Sequence, residues 1–375
     1  MSLIQPLPEG PLDIVGDIHG EYAALCDLLG HLGYSLDGRH PQGRSLVFVG
    51  DFCDRGHDSP AVLALVREMV DKGRAVAVLG NHEVNLLCQK PKDGSGWYFD
   101  ERQERDLPKY APFERVQQAD RPAIDSFLAR LPVGLERSDL RVIHAAWRSA
   151  EVELVRGLPL GCVRERYEAW EQEIKRRVAQ STLQARIESE EADWSHGLEQ
   201  LEHKPPFMHA MAEREEQKQM LNPLKVLTSG VERKGSYPFF SGGKWRFVER
   251  VRWWDEYVDD VPVVVGHYWR RVRPIDRASV GKGDPDLFED VDPMAWHGAR
   301  GNVFCVDFSV GGRWRDRKGG KTQDHDFKLA ALRWPEQELV FDDGQHVKTR
   351  GFGRPVREPR RPPKFPHSWP PQTPP

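Results

Sequence analysis

The sequence predicts an α/β fold around a sheet with parallel strands, and three observations carry that prediction. Three apolar, strand-like runs near the start each end in glycine followed by polar residues: Leu12 to Val15 before GDIHG, Leu46 to Val49 before GDFCDRG, and Ala75 to Leu79 before GNHE. Helix-like stretches separate them. Two later strand-like runs, Leu140 to Ile143 and Val261 to Val265, end on His144 and on Gly266-His267. Strand, loop and helix repeated in this order form the βαβ pattern of a parallel sheet. Loops leaving the carboxyl ends of such strands converge on one edge, where ligands bind.

Each element has its own reason. Tyr22 to Leu32 carries apolar residues at Ala24, Leu25, Leu28, Leu29 and Leu32, and Pro60 to Val70 carries them at Val62, Leu63, Leu65, Val66 and Met69, the spacing of a helix with one buried face. Residues from about 150 to 220 are rich in Glu, Arg, Gln and Trp with helix-compatible spacing (RERYEAWEQEIKRRVAQ). From Lys225 to Trp254 the chain turns to glycine-punctuated, β-like sequence. Glu151 to Asp260 therefore reads as a cap insertion over the site, part helical and part β. After Asn302, the runs Val303 to Asp307, Phe327 to Trp334 and Glu338 to Phe341 read as strands of a closing sheet. From Gly353 the sequence becomes RPVREPRRPPKFPHSWPPQTPP, too rich in proline for a helix or central strand. The expected division is one domain over residues 1–352, with the cap at about 151–260, and an extended or disordered tail over 353–375.

Composition narrows the function. A hydrophobic share of 39% and a charged share of 30% describe a globular chain with a polar surface. The formal charge of -4 provides no global basic field, so nucleic acid is not indicated as a partner. No run approaches the ~18 apolar residues of a membrane span, and the opening MSLIQPLPEGPLD lacks a basic start followed by an apolar stretch. The sequence reads as cytoplasmic, without a membrane partner. Its five cysteines are widely spaced and form no C-x-x-C pair, which indicates neither a disulfide framework nor a zinc-thiolate site.

Two closely spaced divalent metals need carboxylate oxygen and neutral imidazole nitrogen, including a carboxylate able to bridge both ions. Asp17 and His19, two residues apart after the first strand, supply one of each. Asp51 follows the next strand and can bridge. Asn81 offers an amide oxygen, and His144 and His267 follow later strand ends. A single Asp or Asn at a strand end is more often a turn residue or helix cap. Three ordered motifs followed by two strand-end histidines make that explanation poor.

GDIHG at Gly16 to Gly20, GDFCDRG at Gly50 to Gly56, GNHE at Gly80 to Glu83, then VIHAAW and VVVGHY, resemble the ordered motif set of calcineurin-like metallophosphoesterases. The branch they are most similar to contains phosphoprotein phosphatases and bacterial symmetrical diadenosine tetraphosphate hydrolases. CVDFSVGG and FKLAALRWPEQELVF are similar to that branch's terminal strands, so the resemblance spans residues from about 12 to 345. It implies a β-sandwich of two mixed sheets flanked by helices. It also implies two divalent ions, manganese first, with iron, zinc, cobalt or nickel also suited. Asp17 and His19 would bind one ion together with His267, Asp51 would bridge, and Asn81 and His144 would hold the second. His82 would protonate the leaving group or steady the phosphate, with Asp54 orienting its ring, and Arg55 would grip phosphate oxygens. Arg250 and Arg252 are candidates for a second phosphate-binding arginine, with Arg252 the position assigned to substrate. The reaction implied is direct hydrolysis by a metal-bridging hydroxide. Its substrate is a phosphorylated partner, a phosphoprotein Ser/Thr phosphate first, a dinucleoside polyphosphate second and a nucleotide or RNA end phosphate third.

Overall fold

The computed structural model describes residues 1–273, 277 and 283–354, so the proline-rich tail beyond Arg354 lies outside the described residues. The strands run in the order β1 (Ile4–Pro6), β2 (Leu12–Val15), β3 (Ser45–Phe48), β4 (Ala75–Ala77), β5 (Gly134–Arg137), β6 (Leu140–Ile143), β7 (Glu232–Ser241), β8 (Lys244–Arg250), β9 (Val263–Val265), β10 (Val303–Cys305), β11 (Ala330–Trp334), β12 (Glu338–Phe341) and β13 (His346–Lys348). They form a six-stranded sheet ordered β13-β12-β11-β2-β3-β4, a five-stranded sheet ordered β1-β5-β6-β9-β10, and the separate hairpin β7-β8. Both large sheets are mixed. In the first, β2, β3 and β4 are parallel while β11 and β12 run antiparallel. In the second, β6, β9 and β10 are parallel and β5 opposes β6.

The pleat explains how the sheets pack. Ile14, Val47, Val49 and Leu332 of the first sheet share one buried cluster with Val142, Val264 and Phe304 of the second, which is the filling of a sandwich. Residues of opposite parity, such as Leu46 and Phe48, face outward. They meet the apolar faces of α1 (Tyr22–Leu32) and α2 (Ser59–Asp71), including Leu25, Leu28, Val62 and Val66. The α/β sandwich with flanking helices is therefore the observed class. One expectation is redistributed: Val303 to Asp307 does not join the later strands, because β10 closes the five-stranded sheet while β11 and β12 lie in the other.

From Ser149 the chain is largely helical, through α3 (Ser149–Arg156), α4 (Val163–Ala179), α5 (Thr182–Ala192), α6 (His209–Met220) and α7 (Pro223–Ser229), before the β7-β8 hairpin. No helix among the described residues is long and apolar enough to cross a membrane.

Candidate metal centre and phosphate site

The three parallel strands β2, β3 and β4, together with β6 and β9, deliver their following loops to one place. The turns are sharp. His19, Asp51, Asp54, Arg55 and His267 all adopt positive φ, between 47° and 73°, a conformation that costs a residue bearing a Cβ on the order of 1 kcal/mol or more. Five such residues in one cluster mark a backbone held against its preference by its surroundings. Glycine admits the close approaches: a Cβ on Gly266 would lie 2.1 Å from Asp17 Oδ1, and one on Gly80 would lie 2.2 Å from Asp51 Oδ1.

Two groups of buried donor atoms result, each with its ligand atoms within 4.8 Å of one another: His19, Asp51 and His82, and Asp51, His144 and His267. Asp51 belongs to both. Its Oδ2 lies 3.4 Å from His144 Nε2, 3.7 Å from His19 Nε2 and 3.8 Å from His82 Nε2. Asp17 Oδ2 lies 3.9 Å from His19 Nε2. Asn81 Oδ1 sits 2.8 Å from His267 Nδ1 and 3.3 Å from His144 Nε2. All six positions expected as ligands therefore meet.

Their grouping differs from expectation in one respect. The His267 ring lies with His144 and Asn81, not with His19, although its backbone N–H donates to Asp17. The sheet order gives the reason: β9 pairs with β6 in parallel, so the loop carrying His267 leaves beside the loop carrying His144, and Gly266 N–H donates to the His144 carbonyl.

The donor set suits divalent ions. His19 Nδ1 donates to the Cys53 carbonyl (3.0 Å) and His144 Nδ1 to the Val49 carbonyl (2.8 Å), which turns each Nε2 toward the site. His267 Nε2 is buried without a hydrogen-bond partner. Burial, then the neighbouring carboxylates of Asp307 and Asp51, push the Asp17 pKa well above its ordinary value. Three carboxylates crowded in this way form an acidic cluster that a cation would relieve. Burial, Arg55 and His82 hold His19 neutral, and burial, Arg250 and His144 do the same for His267. Burial opposes charge on Asp51, yet His144, His82 and His19 outweigh it and hold its pKa well below the usual range.

Beside these groups lies a second set of side chains. His82 Nδ1 and Asp54 Oδ2 are 2.5 Å apart, and the other oxygen of Asp54 accepts from Trp97 Nε1 at 2.5 Å. Burial works against a proton on His82, but Asp51 leads the groups that raise its pKa. Arg55 reaches over both rings, its Nη1 3.0 Å from His19 Nε2 and its Nη2 3.1 Å from His82 Nε2. It also lies over the Trp269 ring, 5.0 Å from the centroid.

Arg252 does not join them. Its guanidinium donates to the Asp286 carbonyl (3.2 Å), because Arg252 follows the end of β8 and precedes the Trp253–Asp255 turn. Arg250 lines the cleft that Arg55 enters, and its charge helps to lower the His267 pKa. Sequence reasoning also missed Glu83, the last residue of GNHE. Its buried carboxylate accepts the backbone N–H groups of Asp51 (2.8 Å), Phe52 (2.9 Å) and Gly80 (2.9 Å), tying the second motif to the third. Trp97 and Asp307 were likewise unassigned; Asp307 accepts from the backbone of Trp269 and Ser309.

A family model for calcineurin-like phosphoesterases matches residues 10–207, more than half of the chain. The chain belongs to that family. The family is one of dinuclear divalent-metal enzymes. The chain is 51% identical over 75 residues to asymmetrical bis(5'-nucleosyl)-tetraphosphatase PrpE of Halalkalibacterium halodurans, covering 19% of this chain and 30% of that protein. It is 34% identical over 139 residues to the symmetrical bis(5'-nucleosyl)-tetraphosphatase of Edwardsiella ictaluri, covering 35% of this chain and 41% of that protein. The matches thus span less than half the length of these relatives. A solved structure of a cold-active protein-tyrosine phosphatase from a psychrophilic Shewanella species covers 92% of this chain and 83% of its own, with 17% identity and a TM-score of 0.40.

Proposed function

We propose that this calcineurin-like phosphoesterase hydrolyses phosphate monoesters by direct attack of water, without a covalent enzyme intermediate. The observation that carries the reading is Asp51, shared by two buried donor groups, with Arg55 spanning His19 and His82 above it. Asp17, His19 and Asp51 would hold one ion, and Asp51, Asn81, His144 and His267 the other, manganese being the first choice. When bound, two such ions supply Lewis acidity toward a phosphoryl oxygen and an acidified water.

The remaining steps belong to the chain. Arg55 presents a planar pair of N–H donors to the equatorial phosphoryl oxygens and offsets the charge that grows on them. The water gives up one proton to solvent, which in net terms replaces the one that His82 donates, and its oxygen bonds to phosphorus as the ester P–O bond breaks. His82 delivers the proton from Nε2 to the departing oxygen, while Asp54, itself steadied by Trp97, keeps Nδ1–H oriented. Arg250 lies where a second cation can meet the phosphate.

For substrate, a phosphoserine or phosphothreonine ester is the first reading, from the motif pattern of GDFCDRG and GNHE. Cleavage of a dinucleoside polyphosphate is supported about as well, by the names of the sequence relatives. After metal removal and reconstitution with manganese, turnover of a phosphoserine peptide, para-nitrophenyl phosphate and diadenosine tetraphosphate should be compared. Hydrolysis of the first two ahead of the third supports the monoesterase reading. A large preference for the dinucleotide replaces it with the second, and no hydrolysis of any of them contradicts both.

A further inference from the structure

The cleft that holds Arg55 extends away from the metal ligands to a volume of about 360 Å³, and one of its walls is the β7-β8 hairpin. On β8 the side chains alternate. Trp245 and Phe247 are buried on one side, while Arg246, Val248 and Arg250 line the cleft on the other. About 14 Å of strand separates Arg246 from Arg250 at ~3.4 Å per residue, so the row leads from the metal-proximal arginine outward.

The same cleft is lined by Lys109 and Arg315, both laid against Trp314 at 5.4 Å and 4.7 Å from its ring centroid. Cations already lie over this ring, which argues against a planar base stacking there and for an anion in the cleft. Three acids also line the cleft, outnumbered by the five cations Arg55, Lys109, Arg246, Arg250 and Arg315; of the acids, Glu232 is in register with Arg250 on the hairpin and favours the charge of Arg246. Asp93 takes Lys109 and Tyr110, and Asp284 takes Ser241 and Arg277. Arg246 Nε donates to the Ser241 carbonyl (3.3 Å), and no carboxylate pairs with its guanidinium among the described residues. Burial lowers its pKa, although Glu232 and Glu215 nearby favour its charge.

We propose that the β7-β8 hairpin carries a second phosphate subsite, centred on Arg246 with Lys109 and Arg315 in the same cleft, for an oligophosphate substrate whose remote phosphate is bound and not hydrolysed there. This rests on the phosphoesterase reading of the metal site and adds a specificity-determining residue to it. A phosphate gripped at Arg55 and Arg250 leaves the rest of the chain lying past Val248 toward the Arg246 guanidinium.

The test compares wild-type, Arg246→Ala and Arg246→Lys proteins, each loaded with manganese, on para-nitrophenyl phosphate, inorganic tripolyphosphate and diadenosine tetraphosphate. Arg246→Ala should raise KM about tenfold for both oligophosphates at unchanged kcat, leave both constants for para-nitrophenyl phosphate as they were, and be largely rescued by lysine. An effect on the dinucleotide alone would assign Arg246 to a nucleoside, and an equal effect on all three substrates would assign it to folding; either overturns the proposal. If the wild type hydrolyses nothing, the phosphoesterase reading fails. Calorimetric titration with tripolyphosphate then still decides the subsite, equal affinity of wild type and Arg246→Ala counting against it.

Discussion

His82 turns one ring nitrogen to Asp54 and the other to Arg55, so the two duties proposed for it can be separated by substitution. Asp54→Asn should lower kcat for phenyl phosphate by roughly a hundredfold or more, because the ring loses the carboxylate that orients and charges it. The loss should be much smaller with para-nitrophenyl phosphate, whose leaving oxygen needs little help from a proton. Equal losses with the two esters would contradict the role of His82 as the acid. Gly266 tests the strained loops at the same scale. A methyl group there meets Asp17 Oδ1 at 2.1 Å, so Gly266→Ala should destabilise the protein by about 1–3 kcal/mol and weaken manganese binding, measured by urea unfolding and metal titration. Unchanged values for both would mean that the Asp17 loop relaxes freely.

At the scale of elements, the strand-end motifs were legible because alternation of apolar runs with Gly-Asp and Gly-Asn turns is a local signal. Which ends become neighbours is not. His267 joins His144 only because β9 inserts between β6 and β10, a pairing that no spacing in the sequence announces. Glu83 and Trp97 escaped for the same reason, since Glu83 ties its own motif to Asp51 and Phe52, 32 and 31 positions away, and Trp97 reaches Asp54, 43 positions away. Arg252 was assigned to substrate when the strand ends at Arg250, where a shift of two residues decides which arginine faces the cleft. The mixed character of the 151–260 stretch was readable from composition, yet only its hairpin lines the cleft. Glu83 gives this scale its test. Glutamine can accept with one oxygen only and brings two donors toward three backbone N–H groups. Glu83→Gln should therefore cost about 1–3 kcal/mol of stability, read as a lower urea midpoint, and an unchanged midpoint would contradict the tie between motifs.

For the whole molecule, ions and protons compete for one buried centre. His19 and His267, held neutral by burial, give up no proton to an ion, whereas Asp17 and His144, whose pKa values are raised, must release theirs. In the metal-free fold, Asp17 and His144 contribute stability below their unfolded pKa values and lose it as pH rises through the folded ones. His19 and His267 act in the opposite sense, contributing above their unfolded pKa and losing that contribution as pH falls. Because these contributions oppose each other, the informative quantity is the gain on adding metal. The rise in Tm when manganese is returned to chelated protein should grow from about pH 5.5 to about pH 8, with protons released on binding. A gain that is flat or shrinks over that range would mean that the raised groups are not the ligands.

The central claim is that one carboxylate, Asp51, joins both halves of the metal centre that performs the hydrolysis. Its direct test is para-nitrophenyl phosphate turnover by metal-stripped wild-type and Asp51→Asn proteins before and after manganese is restored. The account predicts that both are inactive when stripped, that the wild type recovers with manganese, and that Asp51→Asn does not. Full recovery by Asp51→Asn, or full activity of the stripped wild type, would contradict it.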